Sequence, residues 1–157
     1  MIDQIRRARD QGLYYLALLG ALTLPDICAG LAAADGKTSG PKYRSWVEAN
    51  APGQRNEAAL LWGLRCSVLH QGRMHPDGQS FRVAAGAEGE LHNLSTEING
   101  DRIGWLSIPM LVDEVTEGAE RWFAQYGQTN TVQKNLEKFA RLRPEGLPPH
   151  FSGPVIA

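Results

Sequence analysis

An arginine and a histidine five positions apart, Arg65 and His70, stand in a segment that is otherwise apolar. Across residues 58–69 Arg65 is the only charged side chain, and a helix apolar on nearly every side belongs in a core or an interface. A guanidinium keeps its charge wherever it sits, so at such a place it needs an anionic or hydrogen-bonding partner. A carboxylate of the chain itself, such as Glu48 or Glu57, would serve, and so would a phosphate. His70 lies in the last turn before Gly72, where unpaired carbonyls and the negative end of the helix dipole favour an imidazolium. A histidine there is a candidate acid or base near neutral pH. Arg65 offers a fixed positive fork for the charge that grows on a phosphate attacked by a 2′-hydroxyl. That chemistry needs no metal and no cofactor.

Spacing limits what one helix can do with the pair. Five steps of about 100° set the two side chains roughly 140° apart around the axis, too far to converge on one atom. Packing two such helices about a two-fold axis brings both arginines and both histidines to one cleft, because an isologous interface doubles every residue it contains. The expected assembly is therefore a homodimer through the motif helix. Catalysis is assigned to Arg65 and His70, and Ser67, Gln71, Arg73 and Lys42 are candidates for further binding contacts. Cys66 and His70, at i and i+4 with His75 beyond, resemble part of a zinc site, but no fourth ligand is suitably spaced. Trp46, Trp62, Trp105 and Trp122 lie on apolar faces and read as core.

Composition narrows the field. The 157 residues suit one domain with its own core. Sixteen basic side chains against 17 acidic ones give a formal net charge of −1, without the basic field of a duplex-binding protein; any nucleic-acid contact must be local. Cys28 and Cys66 have no paired spacing, which suits reduced thiols and a cytoplasmic location. Arg6, Arg7 and Arg9 followed by the apolar run 13–24 imitate a secretory signal. Against that stand Asp3, Gln4 and Asp10 among the arginines, and a run too short to span a bilayer. Ile5, Gly12, Leu13, Leu16 and Leu19 fall near helical spacing, so a folded helix and no membrane association are expected.

The elements that position the pair are mostly helical. A first helix is predicted over 2–21 and a second over 25–33, with Pro25 in its first turn. Ser39-Gly40-Pro41 opens a third, whose Tyr43, Trp46 and Val47 form an apolar stripe. Residues 50–53 break it, and a fourth runs from Asn56 as N-cap to Gly72. Over 80–108 the period changes around Phe81, Val83, Ala85, Leu91, Leu94, Ile103, Trp105 and Leu106. This predicts a small antiparallel sheet turning at Asn99-Gly100. A fifth helix over 109–126 puts Leu111, Val112, Val115, Ala119, Trp122 and Phe123 on one face, with Asp113, Glu114, Glu117 and Glu120 in solvent. A last helix spans 129–141. The domain is 1–142, and 143–157 is a Pro/Gly-rich extended tail.

The run at 64–73, supported by those at 22–30 and 35–46, resembles the HEPN superfamily (higher eukaryotes and prokaryotes nucleotide-binding), in particular its small bacterial members. The likeness covers roughly residues 13–123. It implies a mainly α, HEPN-like helical bundle, here with the β insertion between the fourth and fifth helices, dimerising through the motif helix. In catalytic members it implies a metal-independent endoribonuclease leaving a 2′,3′-cyclic phosphate. Arg65 and His70 match the motif positions, and Cys66 stands where many catalytic members carry Asn, Asp or His. Two functions follow. One is a HEPN-like endoribonuclease acting on single-stranded RNA as a toxin or anti-phage effector, with an antitoxin or effector partner. The other is a non-catalytic HEPN-like RNA- or protein-binding module.

Overall fold

The structure, a computed structural model, describes residues 1–74, 80–84, 91–140 and 142–157. His75 and Ala85, both named above, lie outside the described residues, as does Arg141.

Gly12, at φ +72°, breaks the predicted first helix early, because that backbone conformation is costly for every residue but glycine. The chain therefore forms α1 (Ile2–Asp10) and α2 (Tyr14–Ala32) in place of helices over 2–21 and 25–33. The two helices fold onto each other where Ile5 packs on Gly20; a Cβ at Gly20 would come within 2.6 Å of Ile5 Cγ1. Pro25 sits inside α2 rather than at its first turn. A proline there removes one hydrogen bond and crowds the turn before it. In that turn the Tyr43 hydroxyl donates to the Leu22 carbonyl at 3.1 Å.

α2 is the hub of the bundle, in contact with α1 and with four later helices. At 19 residues with mean hydropathy 1.6 it is long and apolar enough to cross a membrane by length and composition, which corrects the expectation of a run too short to do so. In this fold 56% of that window is buried against the other helices.

α3 (Gly40–Asn50) starts as predicted: Ser39 accepts the Lys42 N–H at 3.5 Å, and Tyr43, Trp46 and Val47 are buried. A 3₁₀ turn over Pro52–Glu57 then delays α4 (Ala58–Gln71), so Glu57 rather than Asn56 occupies the N-cap position. Gly72 closes α4 at φ +63°, and the Arg73 N–H reaches back to the Ser67 carbonyl at 3.2 Å, the closure an αL glycine permits.

Three strands follow, β1 (Ser80–Ala84), β2 (Ser95–Ile98) and β3 (Asp101–Ser107), in the order β1-β3-β2. β2 and β3 form the expected antiparallel hairpin. Its turn residues Asn99 and Gly100 have φ of +54° and +84°, the pair of positive values a two-residue turn requires. β1 pairs with β3 in parallel, so the sheet is mixed rather than antiparallel throughout. A parallel neighbour cannot be reached by a tight turn, and here the chain returns to β3 only after making β2. Leu91 and Leu94 lie before β2, outside the strands.

α5 (Ile108–Tyr126) buries Leu111, Val112, Val115, Ala119 and Trp122 as predicted, whereas Phe123 is 43% exposed. Asp113, Glu117 and Glu120 are solvated and pair with Arg9, Arg121 and Arg6. Glu114 turns inward instead. α6 (Asn130–Leu136) is shorter than the 129–141 helix predicted. Its Asn135 amide donates to the Leu31 and Ala33 carbonyls at 3.0 and 2.8 Å, satisfying the end of α2. The tail folds back, β4 (Leu142–Arg143) pairing antiparallel with β5 (Val155–Ile156).

Candidate functional site

α2, α3 and α4 meet around Arg65. Its Nη2 makes an ion pair with Asp26 Oδ2, and the two side chains are 18% and 7% exposed. Its Nη1 lies 3.0 Å from His70 Nε2. The guanidinium carbon sits 5.3 Å from the centre of the Trp62 ring, within reach of a cation–π attraction. Trp62 packs in turn on Tyr43, with ring centres 5.3 Å apart. Burial first, and then the nearby Asp26 charge, push the Tyr43 phenol far above its ordinary range, so it acts here as a neutral donor.

Two expectations change. The carboxylate that holds Arg65 is Asp26, not Glu48 or Glu57. Arg65 and His70 also converge within one helix, despite their angular separation. The 140° figure describes where the side chains leave the axis; their ends, on a long arginine stem and an imidazole ring, still come to 3.0 Å. His70 is exposed and Arg65 mostly covered, so the pair presents a base at the surface with a fixed cation behind it.

The other predicted binding residues do not form one surface. Ser67 is buried at 7% exposure and its Oγ has no hydrogen-bond partner. Two positions beyond Arg65 lies nearly the opposite side of the helix, so Ser67 faces the core. Lys42 is held at the loop before α3, its Nζ 3.1 Å from Asp35 Oδ1 and 2.7 Å from the Lys37 carbonyl. The Lys37 N–H and then Lys42 hold the Asp35 carboxyl below its usual range. Gln71 and Arg73 are exposed beyond His70. Cys66 is half-buried, with its sulfur 4.0 Å from Arg65 Nη1. Cys28 is buried, and burial pushes its thiol up to about 12; it packs rather than reacts. Among the described residues no group of three His, Cys, Asp or Glu side chains could hold a metal ion.

A second polar cluster, which no sequence motif announced, joins the β region to the helices. Gln54 is fully buried, and its Nε2 lies 2.7 Å from both Glu114 Oε2 and His92 Nε2. His92, 5% exposed, accepts the Ser107 N–H at Nδ1 over 3.2 Å. Asn93 donates to the Gly53 carbonyl at 2.9 Å. Burial works to raise the Glu114 carboxyl, but hydrogen bonds from His92 and Gln54 outweigh it and hold the group below its ordinary value.

No family model, no curated protein and no solved structure matches the chain. The chemistry rests on the geometry alone: a buried carboxylate, an arginine fixed by it, and an exposed imidazole touching that arginine.

Proposed function

We propose that this chain is a metal-independent endoribonuclease of the HEPN type, cutting single-stranded RNA as a cytoplasmic homodimer. The observation that carries the reading is the 3.0 Å contact between Arg65 Nη1 and His70 Nε2. Cleavage by RNA's own 2′-hydroxyl needs a base for that proton, an acid for the departing 5′ oxygen and a cation for the phosphate. His70 supplies proton exchange and Arg65 the cation. Acid and base together call for two imidazoles, which a second copy of α4 provides across a two-fold axis. The partly exposed Trp62, Gly63, Cys66 and Leu69 leave α4 an apolar outward strip suited to that contact. An enzyme of this kind arrests growth, which fits a toxin or an anti-phage effector held in check by a partner.

A second reading, a non-catalytic HEPN-like binding module, is favoured by one observation: Asp26 already neutralises Arg65. End-group analysis of a cleaved oligoribonucleotide, with and without EDTA, separates the two. The nuclease leaves a 2′,3′-cyclic phosphate in EDTA and spares DNA. A 3′-hydroxyl product or metal dependence overturns the mechanism, and RNA binding without cleavage of any substrate supports the module.

A further inference from the structure

We infer that Asp26 is a positioning residue for His70, acting through Arg65 to fix which imidazole nitrogen is bare. Guanidinium nitrogens only donate hydrogen bonds. With Arg65 Nη1 3.0 Å from His70 Nε2, Nε2 must offer its lone pair, and the proton of the neutral ring sits on Nδ1. The arginine therefore selects the tautomer.

Arg65 can do this only if its own long, rotamer-rich stem is held. Asp26 holds it. It is the single charged side chain of α2, is 7% exposed, and grips Nη2 while Trp62 lies under the guanidinium. The rigid end of the chain is thus the carboxylate in the core, and the responsive end is the exposed imidazole.

A consequence for turnover follows, and it rests on the nuclease reading. A phosphate oxygen that takes Nη1 leaves Nη2 on Asp26 and unmasks Nε2 beside the substrate. Nε2 accepts the 2′-hydroxyl proton, the 2′ oxygen bonds to phosphorus, and the bond to the 5′ oxygen breaks. That oxygen receives its proton from Nε2 of the second copy's His70, which takes up a proton from water to become an imidazolium once its own Arg65 Nη1 has likewise turned onto the phosphate. Binding the phosphate and freeing the base are one movement.

The test is heteronuclear NMR of the imidazole nitrogens in the full-length chain, with His70 assigned by its loss in His70→Gln. In the wild type His70 is expected with Nδ1 protonated and Nε2 bare. In Asp26→Asn and Asp26→Leu it reverts toward the Nε2-protonated form that free histidine favours. Near-UV circular dichroism confirms folding. The leucine variant leaves no polar group to bury, and Arg65 can turn outward to water. A folded variant that keeps the wild-type tautomer overturns the inference, as does a wild-type His70 already protonated at Nε2. In the cleavage assay Asp26→Leu is expected to lower kcat about 10²-fold, the cost of a misplaced group, with KM little changed. If the wild type cleaves nothing, the nuclease reading falls while the tautomer result still decides the role of Asp26.

Discussion

Asp26 and Arg65 pair across the two most apolar helices of the chain, each the sole formal charge in its helix. Breaking a buried pair by removing one partner strands the other charge, at about 3–5 kcal/mol. Arg65→Ala is therefore expected to lower unfolding stability by that amount, a large share of a typical domain's total. His70 is exposed, so His70→Ala should stay within about 0.5 kcal/mol of the wild type. Urea unfolding of the two variants checks this; an unchanged midpoint for Arg65→Ala would show that the pair contributes nothing. Lost activity in Arg65→Ala would then reflect fold and chemistry together, which makes His70→Ala the cleaner probe of the site.

How much of this was legible in the sequence depends on how local each signal is. Arg65 stands out as a charge in an apolar helix, and Ser39, Gly72 and Asn99-Gly100 announce a cap, a helix stop and a turn from their own residue types. Asp26 carries the same signal as Arg65. After Leu24-Pro25, however, it falls in the first turn of a separate predicted helix, and only the continuity of α2 through Pro25 places it in the core. Glu114 reads as one more acid on a solvated face because its partners, Gln54 and His92, are distant in sequence. The parallel pairing of β1 with β3 is likewise a long-range fact that no strand pattern encodes.

Glu114 gives the fold a dependence on acid. Its carboxyl is held below the ordinary value of 4.5, so in that window the unfolded chain binds the proton more readily. The stabilisation is present above about pH 4.5 and is lost as pH falls through the lowered folded value. Glu114→Gln should cost stability near neutral pH, and the gap from wild type should close in acid. Urea midpoints across pH measure it; a gap that stays constant would trace the effect to packing rather than to charge.

Gly72 closes the helix immediately beyond His70-Gln71 with φ +63° and open space around it. The cost of a side chain there is conformational alone, about 1–2 kcal/mol for Gly72→Ala. Gly72→Asn should lose less, because asparagine tolerates the left-handed region. Thermal melting of the two variants ranks them, and equal losses would mean that the helix ends differently in solution.

The proposed nuclease mechanism calls for two copies. Light scattering of the 17.2 kDa chain is expected to show twice that mass at micromolar concentration. Cys66→Glu, which sets a charge into the outward strip of α4, should return it to a monomer. A wild-type monomer throughout that range would remove the second imidazole, and with it the acid half of the mechanism.

The chemistry separates the three neighbours on α4. On the proposed nuclease mechanism His70→Ala takes away the proton shuttle and should slow RNA cleavage by about 10²-fold or more, with the fold intact. Cys66 touches Arg65 only through a long sulfur contact of 4.0 Å, weak by any hydrogen-bond standard. Cys66→Ser should accordingly change the rate little. Ser67 faces the core, so Ser67→Ala removes a buried hydroxyl without a partner and should leave cleavage unchanged, with stability equal or slightly raised. Single-turnover rates for the three variants on one oligoribonucleotide test the assignment. A Ser67→Ala defect as large as that of His70→Ala would mean that the catalytic face of α4 is not the one that carries Arg65 and His70.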